Sequence, residues 1–202
     1  MLVKDMYLKK NKLIKLFIIC FVIICNKTLA NEDNYRKSIN EYLLNLDSFT
    51  SNFIQESDSG VEEGKLLVGE QRIRVEYNSP TKILIIMDKD RSMYYNFDID
   101  EIEFFNTQTP SGRFFFELFK DVNFFSSMKI QIIEGGITLE KETEFEDDVY
   151  KIKILFENNP LVLRKIIVTN STEQLMVSLF NHNHNAFFNK NTFKLINPNF
   201  FN

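Results

Sequence analysis

The stretch that decides the fold is residues 72–88, RIRVEYNSPTKILIIMD, because its two halves follow different hydrophobic patterns. Residues 72–77 alternate charged and apolar side chains, which is typical of a strand with one face in water and one in the interior. The residues NSP at 78–80 end this pattern, and residues 83–87 are then apolar without interruption. The stretch predicts a β-hairpin whose first arm is covered on one face and whose second arm is covered on both.

Short runs of strand-forming residues continue this pattern along most of the chain. They are joined by brief turn sequences such as DKD at 88–90 and GG at 135–136, which indicates antiparallel strands in sequential order. An alternating segment at 49–55 comes first, and Gly60 and Gly64 are expected to bracket the turn after it. The strands predicted beyond that turn are 65–68, 72–77, 83–87, 92–97, 101–105, 128–133, 137–141, 149–156, 161–169 and 175–180.

Two segments have the spacing of helices instead. Apolar residues recur every three or four positions at 34–46, so one face of that segment is apolar. The segment 111–122 is apolar nearly all round, so it must be buried on more than one side or must cover another apolar surface. The sequence therefore predicts one large, curved antiparallel sheet with at least two helices against its concave face.

The first 30 residues have the pattern of a secretory signal peptide. A lysine-rich start precedes an apolar run at 16–25, and Thr28 and Ala30 place a cleavage site before Asn31. The run is shorter than the ~20 apolar residues that a membrane span needs, and a short membrane anchor is the alternative. The expected division is a signal peptide at 1–30 and a single domain at 31–202.

The composition of residues 31–202 excludes several classes of function. The first 30 residues contain six of the 24 basic and one of the 28 acidic residues, so the remainder has 18 basic and 27 acidic residues, a net charge of −9. A chain this acidic is a poor candidate for binding nucleic acid. Both cysteines lie in the first 30 residues, so the exported chain has no disulfide, thiol nucleophile or thiolate metal site.

Residues suited to catalysis are few. His182 and His184 are the only histidines, and on a strand they would share a face and could bind a metal. A solvated, asparagine-rich turn is the preferred interpretation of this segment. No serine has an evident His–Asp pair in support, so a catalytic triad has no candidate. We expect no enzyme activity, no metal and no cofactor.

Aromatic residues are the abundant feature. The chain has 21 Phe and 7 Tyr but no Trp, and several strands carry apolar residues on both faces. One apolar face per strand is enough for the core of an open sheet. The surplus therefore leaves two interpretations open, a plain hydrophobic core or an apolar ligand cavity.

The order of these elements is similar to that of the periplasmic outer-membrane lipoprotein carrier protein family, LolA. The likeness extends over nearly the whole of residues 31–202, including a TP at 109–110 before the second helix. The other segments that match are SFTSNFIQ (48–55), RIRVEYNSP (72–80), ILIIMD (83–88), MYYNFD (93–98), NNPLVL (158–163) and FKLINP (193–198).

The resemblance implies a fold and a function. The fold is an unclosed, or half, antiparallel β-barrel of about 11 strands, with helices that cover its concave apolar face. The function is that of a monomeric periplasmic carrier that binds the acyl chains of lipoproteins. Its partners are an inner-membrane ABC-type release complex and an outer-membrane lipoprotein receptor, with no nucleic acid. The alternative is a sensor or structural module of the same fold that binds lipid or peptide without shuttling it.

The resemblance also implies the site residues. It places inward apolar side chains at Ile73, Val75 and Tyr77, and the alternation of the strand independently selects the same face. The family has an Arg-Pro pair whose Arg holds the lid shut, whereas this chain has Gly69-Glu70 there, so Arg72 and Arg74 become candidate gate residues. Candidate cavity residues are Phe49, Phe53, Ile73, Val75, Tyr77, Ile83, Ile85, Met87, Tyr94 and Phe105, and candidate lid residues are Phe114, Phe115, Leu118 and Phe119.

Overall fold

The computed structural model describes residues 32–69, 71–121, 123–145 and 148–201 of the chain. The chain divides after Ser38 into two compact units. The described part of the first unit is helical, and Arg36 donates a 2.8 Å hydrogen bond to Glu32 one turn earlier. The second unit, residues 39–202, contains the end of that helix and the sheet. The predicted signal peptide lies outside the described residues.

Within the described residues, 32–44 form helix α1, and the strands and a second helix follow it. The elements are β1 (Ser48–Ser57), β2 (Gly60–Gly69), β3 (Arg72–Ser79), β4 (Ile83–Met87), β5 (Arg91–Asn96), β6 (Glu101–Asn106), α2 (Pro110–Lys120), β7 (Lys129–Ile133), β8 (Gly136–Phe145), β9 (Asp148–Glu157), β10 (Val162–Thr169), β11 (Gln174–Asn183) and a terminal 3₁₀ helix (Pro198–Phe201). Helix α2 ends at Lys120, two residues before the predicted end, and Val122 is outside the described residues.

The strands form one antiparallel sheet in the order β6-β5-β4-β3-β2-β1-β11-β10-β9-β8-β7. Strand β1 pairs with both β2 and β11, which joins the two meanders of the sheet. The edge strands are β6 and β7, so the barrel is unclosed, and α2 lies between them in the chain. The predicted fold class, an 11-stranded unclosed antiparallel sheet with helices, is confirmed.

The register places alternate residues of each strand on opposite faces of the sheet. Residues paired directly across antiparallel strands share a face. Val68, Ile73 and Met87 are paired in this way across β2, β3 and β4, on the face that α2 covers. We call this the cavity face. Arg74 is paired with Ile86 and therefore lies on the other side, the outer face, as the alternation of residues 72–77 predicts.

The outer face of β4 and β5 is covered by residues 187–201, which we call the C-terminal strap. Leu195 of the strap packs against a cluster of four residues on this face that are at most 1% exposed. Strand β4 therefore has the cavity on one face and the strap on the other, which explains why residues 83–87 contain no polar side chain. The cluster comprises Leu84, Ile86, Met93 and Tyr95.

The predicted turn between Gly60 and Gly64 is wrong. Strand β2 begins at Gly60, which has a φ of +133°, and Gly64 lies inside the strand. The physical reason for glycine at 64 is crowding, because a Cβ there would lie 2.5 Å from the ring of Phe53 and would also meet the carbonyl oxygen of Glu76. A glycine inside a strand often marks such a close approach.

Candidate functional site

A cavity lies between the cavity face of the sheet and helix α2. The space inside it that a water-sized group can occupy is about 100 Å³. Phe115 and Phe119 of α2 form one side. The sheet supplies the other lining residues, Phe53, Gln55, Leu66, Ile73, Val75, Tyr77, Ile85, Met87, Ile166, Val177 and Leu179. Among the thirteen lining residues in the described part of the chain, only Gln55 and Tyr77 are polar, so the cavity suits an apolar ligand.

The structure places six of the ten candidate cavity residues at the cavity: Phe53, Ile73, Val75, Tyr77, Ile85 and Met87. Phe49 is fully buried on the same face but stacks on His182, with ring centroids 5.4 Å apart, instead of lining the cavity. Ile83, Tyr94 and Phe105 are register partners of cavity-face residues on the strands toward the β6 edge. They are not among the residues that line the cavity.

Sequence reasoning missed five lining residues. Leu66 faces the cavity because it is paired with Val75 of β3. Gln55 faces it because it lies two residues after Phe53 on β1, and alternate residues of a strand share a face. Ile166, Val177 and Leu179 belong to β10 and β11, which reach the cavity only because β11 pairs with β1. That pairing joins segments about 120 residues apart, and no local pattern indicates it.

The candidate lid residues divide by the side of α2 on which they lie. Phe115 and Phe119 line the cavity, whereas Leu118, 1% exposed, faces a second hollow beside Leu43. Phe114 makes an edge-to-face contact with Phe124, with ring centroids 5.8 Å apart, beyond the end of the helix. The helix is therefore apolar nearly all round because it contacts the sheet, the end of α1 and its own C-terminal extension.

An ion pair ties the C-terminal end of α2 to the segment between α1 and β1. Lys120 Nζ lies 3.2 Å from Asp47 Oδ1, and the Lys120 side chain is only 6% exposed. Burial lowers the pKa of Lys120, and the carboxylate of Asp47 opposes that shift. Sequence reasoning did not select Lys120, because a lysine in the last turn of a helix is common for reasons of helix capping and dipole alone.

Arg72 and Arg74 lie on the outer face, away from α2. The Arg72 guanidinium donates hydrogen bonds to Asp88 (2.8 Å) and to the strap carbonyl of Phe193 (3.2 Å). Arg74 likewise donates to Glu76 (2.6 Å) and to the strap carbonyl of Thr192 (2.8 Å). A role as a gate for α2 does not fit this placement, because the alternation of β3 turns both side chains toward the strap. Glu70, where the family pattern departs, lies outside the described residues.

The two polar lining residues form a small hydrogen-bonded network. The hydroxyl of Tyr77 donates to Gln55 Oε1 at 3.1 Å, and Gln55 Nε2 donates to Glu62 Oε2 at 2.6 Å. Burial, and then the charge of Glu62, raises the pKa of Tyr77 to about 12, against the opposing hydrogen bond with Gln55. Tyr77 is therefore a neutral donor at physiological pH.

The two histidines are packed against aromatic rings, so the solvated-turn interpretation is wrong. Both ring centroids lie within 5.4 Å of the Phe49 ring centroid, and His184 also contacts Tyr42 edge-on. Burial is the main reason why the pKa of His182 is lowered to about 4. The pair shares a face, as alternation requires, but that face is apolar.

The described residues also bear on two other kinds of function. They contain no group of three or more His, Cys, Asp or Glu side chains placed to bind a metal ion. No helix among them combines the length and the apolar character needed to cross a bilayer.

An unclosed antiparallel barrel with a helix over an apolar cavity has the architecture of a protein that can hold an apolar ligand. The chain belongs to the family of the outer membrane lipoprotein carrier protein LolA, whose sequence model matches residues 45–196. This match confirms the resemblance seen in the sequence. The family is described as one of outer membrane lipoprotein carriers.

Two further proteins are similar to this chain. An uncharacterized protein of Rickettsia prowazekii (strain Madrid E), RP864, is 26% identical over 143 residues, which is 70% of this chain and 59% of that protein. The chain thus spans less than two thirds of the length of this relative. The crystal structure of an uncharacterized conserved protein from Thermus thermophilus superposes with a TM-score of 0.55 at 6% identity, over 82% of this chain and 96% of that one. The second likeness concerns the fold alone.

Proposed function

We propose that this protein is a periplasmic carrier that binds the acyl chains of lipoproteins in the cavity beneath α2. In this proposal it receives them from an inner-membrane ABC-type release complex and delivers them to an outer-membrane receptor. The single observation that supports the proposal most is the cavity lining, in which eleven of thirteen residues are apolar. Membership of the carrier family supports the same conclusion.

The physical requirement for such a carrier follows from the ligand. Each buried CH₂ group of an acyl chain contributes about 0.8 kcal/mol, so exposed chains would aggregate or return to a membrane. A carrier must cover the chains in transit and release them at the end. A preformed cavity can cover the acyl chains, and helix α2, whose end is held by the Lys120–Asp47 ion pair, is a part that can move to release them.

The test is release of newly made lipoproteins from spheroplasts that retain them in the inner membrane. The added protein is expected to bring lipoproteins into the soluble fraction. Val75→Asp, which puts a charge in the cavity lining, should abolish release, since a buried unpaired charge is strongly unfavourable. Val149→Asp is the matched control, because Val149 is 51% exposed on β9. Absence of release by the parent protein would contradict the carrier proposal.

One observation favours a second candidate, a half-barrel that binds lipid without shuttling it. Arg72 and Arg74, the arginines nearest to the family's gate position, form their hydrogen bonds with the strap and not with the lid. Native mass spectrometry separates the candidates. A protein that retains a diacyl ligand but releases no lipoprotein from spheroplasts would be the non-shuttling module.

A further inference from the structure

Among the described residues, only two side chains bring polar atoms to the lining of the cavity, and they are adjacent. Gln55 and Tyr77 extend from β1 and β3 toward each other across β2, and all other lining residues are apolar. A polar group in such a lining is costly unless it is hydrogen-bonded. Its presence there therefore needs a reason.

Glu62 determines the orientation of the Gln55 amide. A carboxylate only accepts hydrogen bonds, so the Nε2 side of the amide must face Glu62 and the Oε1 side must face the Tyr77 hydroxyl, as observed. An amide nitrogen has two hydrogens, and the bond to Glu62 uses one of them. The second N–H of Gln55 is the donor that this network leaves for a ligand.

Packing holds the network in place. The rings of Phe53 and Tyr77 meet edge-to-face with centroids 5.1 Å apart, and Gly64 lies between the two residues in the register. A Cβ at Gly64 would meet the Phe53 ring, so glycine permits this contact. The Tyr77 hydroxyl is thereby fixed beside Gln55 before a ligand arrives.

An acyl chain has one polar feature, the carbonyl of its ester or amide linkage. We propose that Gln55, oriented by Tyr77 and Glu62, donates a hydrogen bond to the acyl carbonyl of the bound lipid and so sets how far the chain enters the cavity. This inference rests on the proposed function, since it assumes an acyl ligand. In it Gln55 is a ligand-binding residue, and Tyr77 and Glu62 are positioning residues.

The experiment compares two probes that differ only in the carbonyl. The full chain is expressed and purified after export, and its binding is measured for a short-chain diacyl glycerolipid and for the dialkyl ether lipid of the same chain length, both below their micelle concentrations. The ester lipid is expected to bind about fivefold tighter, the size of one net hydrogen bond. Gln55→Met, which keeps the side-chain length, should bring the ratio of the two affinities close to one.

Two variants complete the design. Gln131→Met makes the same substitution at an exposed position on β7 and should leave the ratio unchanged. Tyr77→Phe keeps the ring that lines the cavity and should lower the ratio in part, because the amide loses its orienting partner. Equal binding of both lipids by the parent, or a ratio that survives in Gln55→Met, would overturn this inference alone. Failure of both lipids to bind would overturn the proposed function together with it.

Discussion

Removal of one strap side chain should destabilise the protein strongly, although the strap lies at the end of the chain. Phe193 is 1% exposed, makes an edge-to-face contact with Phe188 at 5.0 Å between ring centroids, and follows Thr192, which accepts from Arg74. Phe193→Ala removes this buried ring and leaves the Arg72 hydrogen bond without a fixed carbonyl. Only six residues earlier, Phe187 is 96% exposed, so Phe187→Ala is a control of the same chemistry.

The expected magnitude follows from the burial of the two rings. Truncation of a fully buried Phe typically costs about 3–5 kcal/mol, whereas exposed substitutions usually stay within about 0.5 kcal/mol. The total stability of a domain is about 5–15 kcal/mol, so the first change removes a large share of it. Urea denaturation of the parent and both variants measures the difference, and a fluorescent dye that binds apolar surface reports exposure of the outer-face cluster.

The control decides the interpretation of this result. Phe193→Ala should lower the urea midpoint and increase dye binding, while Phe187→Ala should change neither. If both variants match the parent, the strap does not stabilise the sheet, and the two-sided coverage of β4 that explains residues 83–87 is refuted.

Two further predictions concern the lid anchor and the histidines. Asp47→Asn should destabilise the protein and raise the accessibility of the cavity to dye, because it leaves the buried Lys120 ammonium unpaired. Lys120→Met removes that buried charge and leaves the Asp47 carboxylate, which is 64% exposed, in water, so it should be close to neutral by urea denaturation. Equal effects of the two substitutions would contradict the ion-pair argument. The pKa of His182 is about 4 in the folded chain, against an ordinary value of 6.5, so the unfolded chain takes up the proton at a higher pH. The free energy of unfolding should therefore fall as the pH falls from 6.5 toward 4. The expected loss is about 1–2 kcal/mol after allowance for the partial exposure of the ring. Urea midpoints at pH 7 and pH 4.5 should differ less in His182→Gln than in the parent, and an unchanged difference would refute this assignment.

Much of the fold was predictable because the relevant information is local. Alternation in residues 72–77 gives the face of each side chain, and brief turns such as DKD at 88–90 indicate antiparallel neighbours. The same local pattern puts Ile73, Val75 and Tyr77 on one face, and the structure places these three side chains at the cavity. Gly64 was misjudged because glycine marks a turn or a close approach equally well in a sequence, and only the Phe53 ring distinguishes them.

The remaining features depend on contacts between distant segments. The β1–β11 pairing brings Val177 and Leu179 to the cavity, and no pattern near either residue indicates their partner. The asparagines around the two histidines favour a solvated turn in the sequence. In the structure both histidines lie on the face that packs against Phe49. The sequence does not single out Lys120, and it suggests a gate role for Arg72 that the structure does not fit, because charge alone does not say which surface a side chain contacts.

The sequence has more apolar residues than the core of an open sheet needs, and it allows either a plain core or a ligand cavity as the reason. In the structure the two faces of the sheet serve these two purposes separately. On β4, Leu84 and Ile86 turn outward beneath the strap and are part of a closed core, whereas Ile85 and Met87 turn inward and line the cavity. Arg72 and Arg74 lie on the outer face of the neighbouring strand, so the hydrogen bonds they donate to the strap are unavailable to the lid. The strap and the lid are therefore held by different residues on opposite faces of the sheet, and the described ion pair that joins α2 to the region before β1 is made by Lys120. A change at Lys120 or Asp47 should act on the cavity without loosening the strap, and a change at Arg74 or Phe193 should act on the sheet without touching the lid.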